Sequence, residues 1–112
     1  MLCPTDSEAH FEYGRACLYL GDVEGARASF VRSVELQPGD AMVQGALGFV
    51  AQELGDLETA VRAFGHAVTL DPHSEDMLKA LSSALEMNGD LDAAAEIQQR
   101  LGALDESPRS PK

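Results

Sequence analysis

Tryptophan is missing from this chain, and aromatic residues make up only 5% of its 112 positions. Any core must therefore be modest and built from aliphatic and small side chains, with a few rings at chosen places. Cysteine is also scarce. Cys3 lies near the start and Cys17 within a helical pattern; settings so different suggest neither a disulfide framework nor a metal site, and both read as free thiols. No run approaches the roughly 18 consecutive apolar residues of a membrane-crossing helix. The opening Met1-Leu2-Cys3-Pro4-Thr5-Asp6 lacks the basic-then-apolar order of a secretory signal. These absences lead to the expectation of a cytoplasmic protein with no membrane contact.

Positive charge is the next shortage: eight Lys and Arg stand against nineteen Asp and Glu, for a net charge of -11. Residues 7–40 carry six acids and three bases, 41–74 four and one, and 75–108 eight and two. A nucleic-acid partner needs a basic stripe to displace counterions from phosphates, and this surface offers the opposite. The carboxylates read first as a solvated surface that keeps the chain soluble, and they leave room for a basic protein partner. His10, His66 and His73 fit no metal-ligand spacing such as HExxH, and neither a Gly-rich phosphate loop nor a nucleophile motif occurs. The expectation is no catalysis, no cofactor and no metal.

What the chain does have is a period. Leu20-Gly21-Asp22-Val23-Glu24 recurs as Leu54-Gly55-Asp56-Leu57-Glu58 and again as Asn88-Gly89-Asp90-Leu91-Asp92, each 34 residues after the last. Ala26, Ala60 and Ala94 keep the same step, as do Phe30 and Phe64, Leu36, Leu70 and Leu104, and Pro38 and Pro72. A fixed period of this size marks a repeat architecture. It spans residues 7 to 106 as three units, 7–40, 41–74 and 75–106.

Each unit reads as two helices of about 14 residues, roughly 21 Å long, joined by a tight turn. Gly21, Gly55 and Gly89 fall where a helix ends and the backbone needs positive φ, which glycine adopts without a Cβ clash. The aspartate after each glycine is an N-cap, with Glu24, Glu58 or Asp92 favoured at the positive end of the helix dipole. Pro38 and Pro72 close the second helices, and Asp40 and Ser74 cap the helices that follow. The predicted helices are 7–20, 23–36, 41–54, 57–70, 75–88 and 91–104. Small residues at Gly14, Gly48, Ser82, Ala26, Ala60 and Ala94 predict close backbone approach within each hairpin. The fold class is all-α, a solenoid of three helix-turn-helix hairpins with six antiparallel helices.

On these residues the chain resembles the tetratricopeptide repeat family. Repeat 1 offers Tyr13-Gly14, Cys17, Gly21-Asp22, Ala26, Phe30, Ser33 and Pro38; repeat 2 offers Leu47-Gly48, Ala51, Gly55-Asp56, Ala60, Phe64, Ala67 and Pro72. Repeat 3 keeps Leu81-Ser82, Leu85, Gly89-Asp90 and Ala94, then departs with Gln98, Leu101 and Glu106. The family's usual tryptophan is replaced by His10, Gln44 and Leu78.

The resemblance implies a concave groove, lined by the first helix of each repeat, that receives a segment of another protein. Carried over residue by residue, the partner-binding positions are Phe11, Arg15, Tyr19, Met42, Gly45, Ala46, Phe49, Lys79, Ala80, Ser83 and Met87, with Gly45, Ala46 and Ala80 as the expected floor. Members that hold a chaperone's C-terminal carboxylate use Lys, Asn, Asn, Lys and Arg where this chain has Phe11, Arg15, Ala46, Asp76 and Ala80. Four of those five side chains have nothing to donate to a carboxylate, so that ligand class is not expected. The implied function is a protein interaction module, an adaptor or peptide-binding chaperone whose groove takes an apolar or basic-apolar segment. The competing expectation is a structural self-assembling scaffold that associates through the open N-terminal edge of the first helix; otherwise a monomer is expected.

The third repeat's departures predict that the array caps itself. Where the second helices of repeats 1 and 2 carry Phe30 and Val34, or Val61, Phe64 and Val68, the last helix carries Ala95, Gln98, Gln99 and Gly102. Its apolar residues Leu91, Ala94, Ile97, Leu101 and Leu104 share one face. Residues 1–6 read as an N-terminal tail, and the polar, proline-punctuated 107–112 as a disordered C-terminal one.

Overall fold

The computed structural model describes residues 6–106, with side chains through Leu104. Six helices follow one another: α1 (Asp6–Tyr19), α2 (Val23–Leu36), α3 (Ala41–Glu53), α4 (Leu57–Leu70), α5 (Glu75–Met87) and α6 (Leu91–Glu106). There is no strand among the described residues. Helix α1 takes in Asp6, which the sequence reading assigned to the tail, and α6 runs to Glu106, two residues past its predicted end. The remaining tail residues, 1–5 and 107–112, lie outside the described residues.

The turns follow the glycines. Gly21, Gly55 and Gly89 have φ of 84°, 83° and 86°. Each sits in a double-bonded C-terminal turn: Asp22 N donates to Cys17 O at 2.8 Å and Gly21 N to Leu18 O at 3.0 Å, and the same pair recurs in the next two repeats. Asp22 then caps α2 by accepting from Gly25 N at 2.9 Å, and Asp56 caps α4 by accepting from Thr59 N at 3.2 Å. Asp40 and Ser74 cap α3 and α5 as expected. The third Gly-Asp turn differs: Asp90 takes its hydrogen bond from Asn88 Nδ2 at 2.9 Å.

Within each hairpin the small residue of the first helix makes room for a side chain of the second, rather than for backbone contact. A Cβ on Gly14 would lie 2.6 Å from Phe30 Cε1, and one on Gly48 2.8 Å from Phe64 Cδ1. Both distances are below any ordinary carbon contact, so each ring occupies the space its glycine leaves. In the third hairpin both partners change together, and Gln98 Nε2 donates to Ser82 Oγ at 3.2 Å. The open end of the first hairpin is closed by a polar pair, Ser33 Oγ donating to Ser7 O at 2.9 Å with the two hydroxyls 2.9 Å apart. The position of the family's tryptophan is filled by Leu78, 1% exposed, and by buried Gln44, whose amide donates to Pro38 O at 3.1 Å.

Two apolar clusters result, one at each seam between repeats. Cys17, Ala26, Phe30, Leu47, Val50 and Ala63 join repeats 1 and 2. Ala51, Ala60, Phe64, Val68, Leu78, Leu81, Ala84, Leu85, Ala94 and Ile97 join repeats 2 and 3. No single hairpin buries its own apolar faces; stacking does.

Candidate functional site

The groove positions recur at helical spacing along α1, α3 and α5, so on each helix they share one face. Their environments differ. Tyr19, Met42, Phe49 and Met87 are exposed large apolar side chains, at 92%, 67%, 48% and 55%. Phe11 and Ala46 are half-buried and pack against the core of repeats 1 and 2; Ala80 packs against that of repeats 2 and 3. Phe11 stacks on Phe30 with ring centroids 5.6 Å apart. The Arg15 guanidinium lies 5.9 Å from the Phe11 centroid and reaches Glu12 Oε1 at 3.3 Å. This end of the face is therefore an aromatic base under a cation whose charge is already met by a neighbour.

Gly45 is not part of an open floor. It is buried, and a Cβ there would meet Met77 Cε at 2.8 Å and Sδ at 2.9 Å. The thioether of the next repeat fills the site, so this glycine has a packing reason. Met77 itself carries no special signal in the sequence beyond its helical register.

Lys79 and Ser83, both exposed, open instead onto a shallow recess of about 300 Å³ at the C-terminal edge, lined also by Ser82, Glu86, Gln98 and Leu101. One period earlier these are Gly45, Gly48, Phe49, Gln52, Phe64 and Ala67, among which Gly45 lies under α5. The recess is thus the place of a following helix. Polar contacts line its floor: Gln98 Nε2 donates to Ser82 Oγ at 3.2 Å and to Glu86 Oε2 at 2.9 Å.

Of the remaining candidates, Cys17 is buried and free, and Cys3 lies outside the described residues. His66 and His73 are exposed and His10 is half-exposed. Among the described residues no cluster of His, Cys, Asp or Glu has the makings of a metal site, and no helix is long and apolar enough to cross a membrane.

The paired helices, the Gly-Asp turns and the glycine-on-ring contacts have a counterpart in sequence. The tetratricopeptide repeat family pattern matches residues 7–40 and, as a longer stretch, 46–111. The chain is a tetratricopeptide repeat protein. Repeats of this family serve as modules for protein interaction. No curated protein sequence matches the chain significantly. Among solved structures, a crystal structure of MamA superposes with a TM-score of 0.83 at 22% identity, covering 91% of this chain and 60% of MamA. A double mutant of MamA from RS-1 gives 0.84 at 25%, covering 93% and 58%. The second tetratricopeptide domain of Spaghetti (RPAP3), bound to the HSP90 peptide SRMEEVD, gives 0.80 at 16%, covering 89% and 93%. The tetratricopeptide chain described here thus spans about six tenths of those MamA chains.

Proposed function

We propose that this tetratricopeptide array is an adaptor or peptide-binding chaperone, without catalytic activity, whose concave face takes an apolar or basic-apolar segment of a partner protein. The observation that carries the reading is the run of exposed large apolar side chains on the first helices, Tyr19, Met42, Phe49 and Met87. Such side chains bury well against a ligand and cost stability nowhere else. Basic character in the ligand follows from charge. Glu12 already pairs with Arg15, and in the register of the face the acids Glu53, four residues after Phe49, and Asp76, four before Ala80, outnumber Lys79. A chaperone C-terminal tail of the SRMEEVD kind is not the ligand, because Phe11, Ala46, Asp76 and Ala80 offer it no side-chain donor.

The test starts with a pull-down and mass spectrometry to identify the segment, then measures its affinity by fluorescence anisotropy. Ala46→Arg inserts a cation that the ligand's apolar anchor would desolvate, so affinity falls at least about tenfold. Met42→Glu, at an exposed site where the fold is not at risk, falls similarly for an apolar ligand. The wild-type affinity weakens with added salt if the ligand is basic. Folded variants that bind as the wild type does would place the binding surface elsewhere.

A further inference from the structure

The N-terminal edge carries an apolar stripe that nothing among the described residues covers. Ala9, Tyr13 and Ala16 on α1 and Leu20, the first residue after it, follow one another at helical spacing, and all are exposed, Tyr13 at 65% and Leu20 at 81%. One period later the same positions are Val43, Leu47, Val50 and Leu54. Val43, Leu47 and Val50 are buried at 2%, 8% and 0%, and Leu54 packs against the core of repeats 1 and 2. The stripe thus continues, by the repeat's own symmetry, the interface that holds the array together. Beside it lies a recess of about 420 Å³ between α1 and α2, lined by Ala9, His10, Tyr13, Ala28, Ser29 and Arg32.

We propose that this edge is a two-fold contact with a second copy of the chain, α1 packing antiparallel on α1 and α2 on α2. The stripe alternates small, large, small, large. Reversing one copy about the point between Tyr13 and Ala16 sets Ala9 against Leu20 of the second copy and Tyr13 against its Ala16. Each large side chain then meets a small one, as close packing requires. The charges on α2 follow the same operation. Glu24, Ala28 and Arg32 lie four residues apart on one side of that helix. Tyr13 and Ala28 share one recess, so Ala28 is level with the middle of the stripe. A two-fold axis there puts Ala28 on Ala28 and pairs Arg32 with Glu24 of the second copy, twice over. Arg32 reaches Glu35 at 3.2 Å in an exposed, sequence-local pair, a weak tie that leaves it able to exchange partners. No acid is set against an acid along either helix. A head-to-tail stack has no such fit, since the C-terminal edge offers Ala95, Gln98, Gln99 and Gly102. The inference is independent of the groove and of its ligand.

Sedimentation of the full chain across a concentration series should show the mass doubling, with a midpoint on the order of ten to a few hundred micromolar for so small an interface. Leu20→Glu, at an exposed site, should raise that midpoint at least about tenfold while circular dichroism stays unchanged. Arg32→Glu and Glu24→Arg should each weaken the dimer, and the two together should restore it. In a Cys3→Ser background, Ala28→Cys should cross-link to itself under mild oxidation and Gln99→Cys should not. A chain that remains monomeric at the highest concentration would overturn the proposal, as would a double charge reversal that fails to recover, or cross-linking that prefers Gln99→Cys.

Discussion

The seam between repeats 1 and 2 and the seam between repeats 2 and 3 share one backbone step but not one chemistry. At the first, Arg27 of α2 reaches Asp56, the N-cap of α4, at 3.3 Å, with both side chains more than a third exposed. At the second, the residue in Arg27's place is Val61, which packs into the apolar cluster. Among the described residues the first cluster has six buried members and the second ten. In a linear array, stability is close to a sum of repeat and nearest-neighbour terms. The larger cluster therefore makes repeats 2 and 3 the stable pair, and repeat 1 the unit held to its neighbour partly by a polar contact, the Arg27–Asp56 pair.

The largest expected effect tests that ranking directly. Phe64 is 4% exposed, fills the space above Gly48 and belongs to the larger cluster. Phe64→Ala should cost about 3–5 kcal/mol, read from the urea midpoint. A loss below about 1 kcal/mol would show that the second seam is not the main one. Next comes Gly48→Ala. Its methyl would lie 2.8 Å from two ring atoms of Phe64, and a ring locked in a core cannot retreat without strain, so a loss of about 1–3 kcal/mol is expected. Gly45→Ala should behave differently, although its Cβ contact is equally short. The atoms in the way are the end of the Met77 side chain, which can rotate aside. Alanine also raises helix propensity by about 1 kcal/mol over glycine. A net change within about 1 kcal/mol is expected, in either direction; a loss as large as that of Gly48→Ala would mean that Met77 is as fixed as the ring.

The period, the six helices and the Gly-Asp turns were legible because each rests on a local rule: helical spacing, positive φ at glycine, a carboxylate at the N-cap. What the small residues were for was not legible. Gly14 and Gly48 mark space, but the sequence does not say that the occupant is Phe30 or Phe64 from the same hairpin rather than a backbone. Gly45 looked like a binding-site glycine because its occupant, Met77, comes from the next repeat, and long-range contacts leave no local trace. Asp90 looked like its two counterparts, yet Asn88, present in place of Leu20 and Leu54, takes its carboxylate. The groove face was legible as a register of positions, and which of them are exposed depended on packing. A phenylalanine in place of Gln98 would not by itself seat like Phe30 and Phe64, because Ser82 stands where the first two repeats have glycine; the ring needs Ser82→Gly as well.

The smallest expected effect belongs to the polar seam. The Asp56 carboxyl is held below its ordinary range chiefly by the Thr59 hydroxyl and backbone N–H, with desolvation opposing and Arg27 and then Arg62 assisting. A carboxyl that is more acidic in the folded state stabilises fully above its unfolded value, near pH 4, and loses that contribution as pH falls through the folded value. The direction is therefore a loss of stability on acidification below about pH 4, confined to the ionised form. Because the side chain is more than a third exposed, solvent screening limits the effect to about 0.5 kcal/mol or less. Asp56→Asn separates charge from capping, since asparagine caps a helix about as well as aspartate. Urea unfolding at pH 7 should show a small loss for the variant, and the difference between the two proteins should shrink as the pH falls below about 4. If Asp56→Asn instead cost as much as Gly48→Ala, the ion pair to Arg27 would be a principal tie between repeats 1 and 2, and the contrast between the two seams would be one of kind of bond rather than of strength.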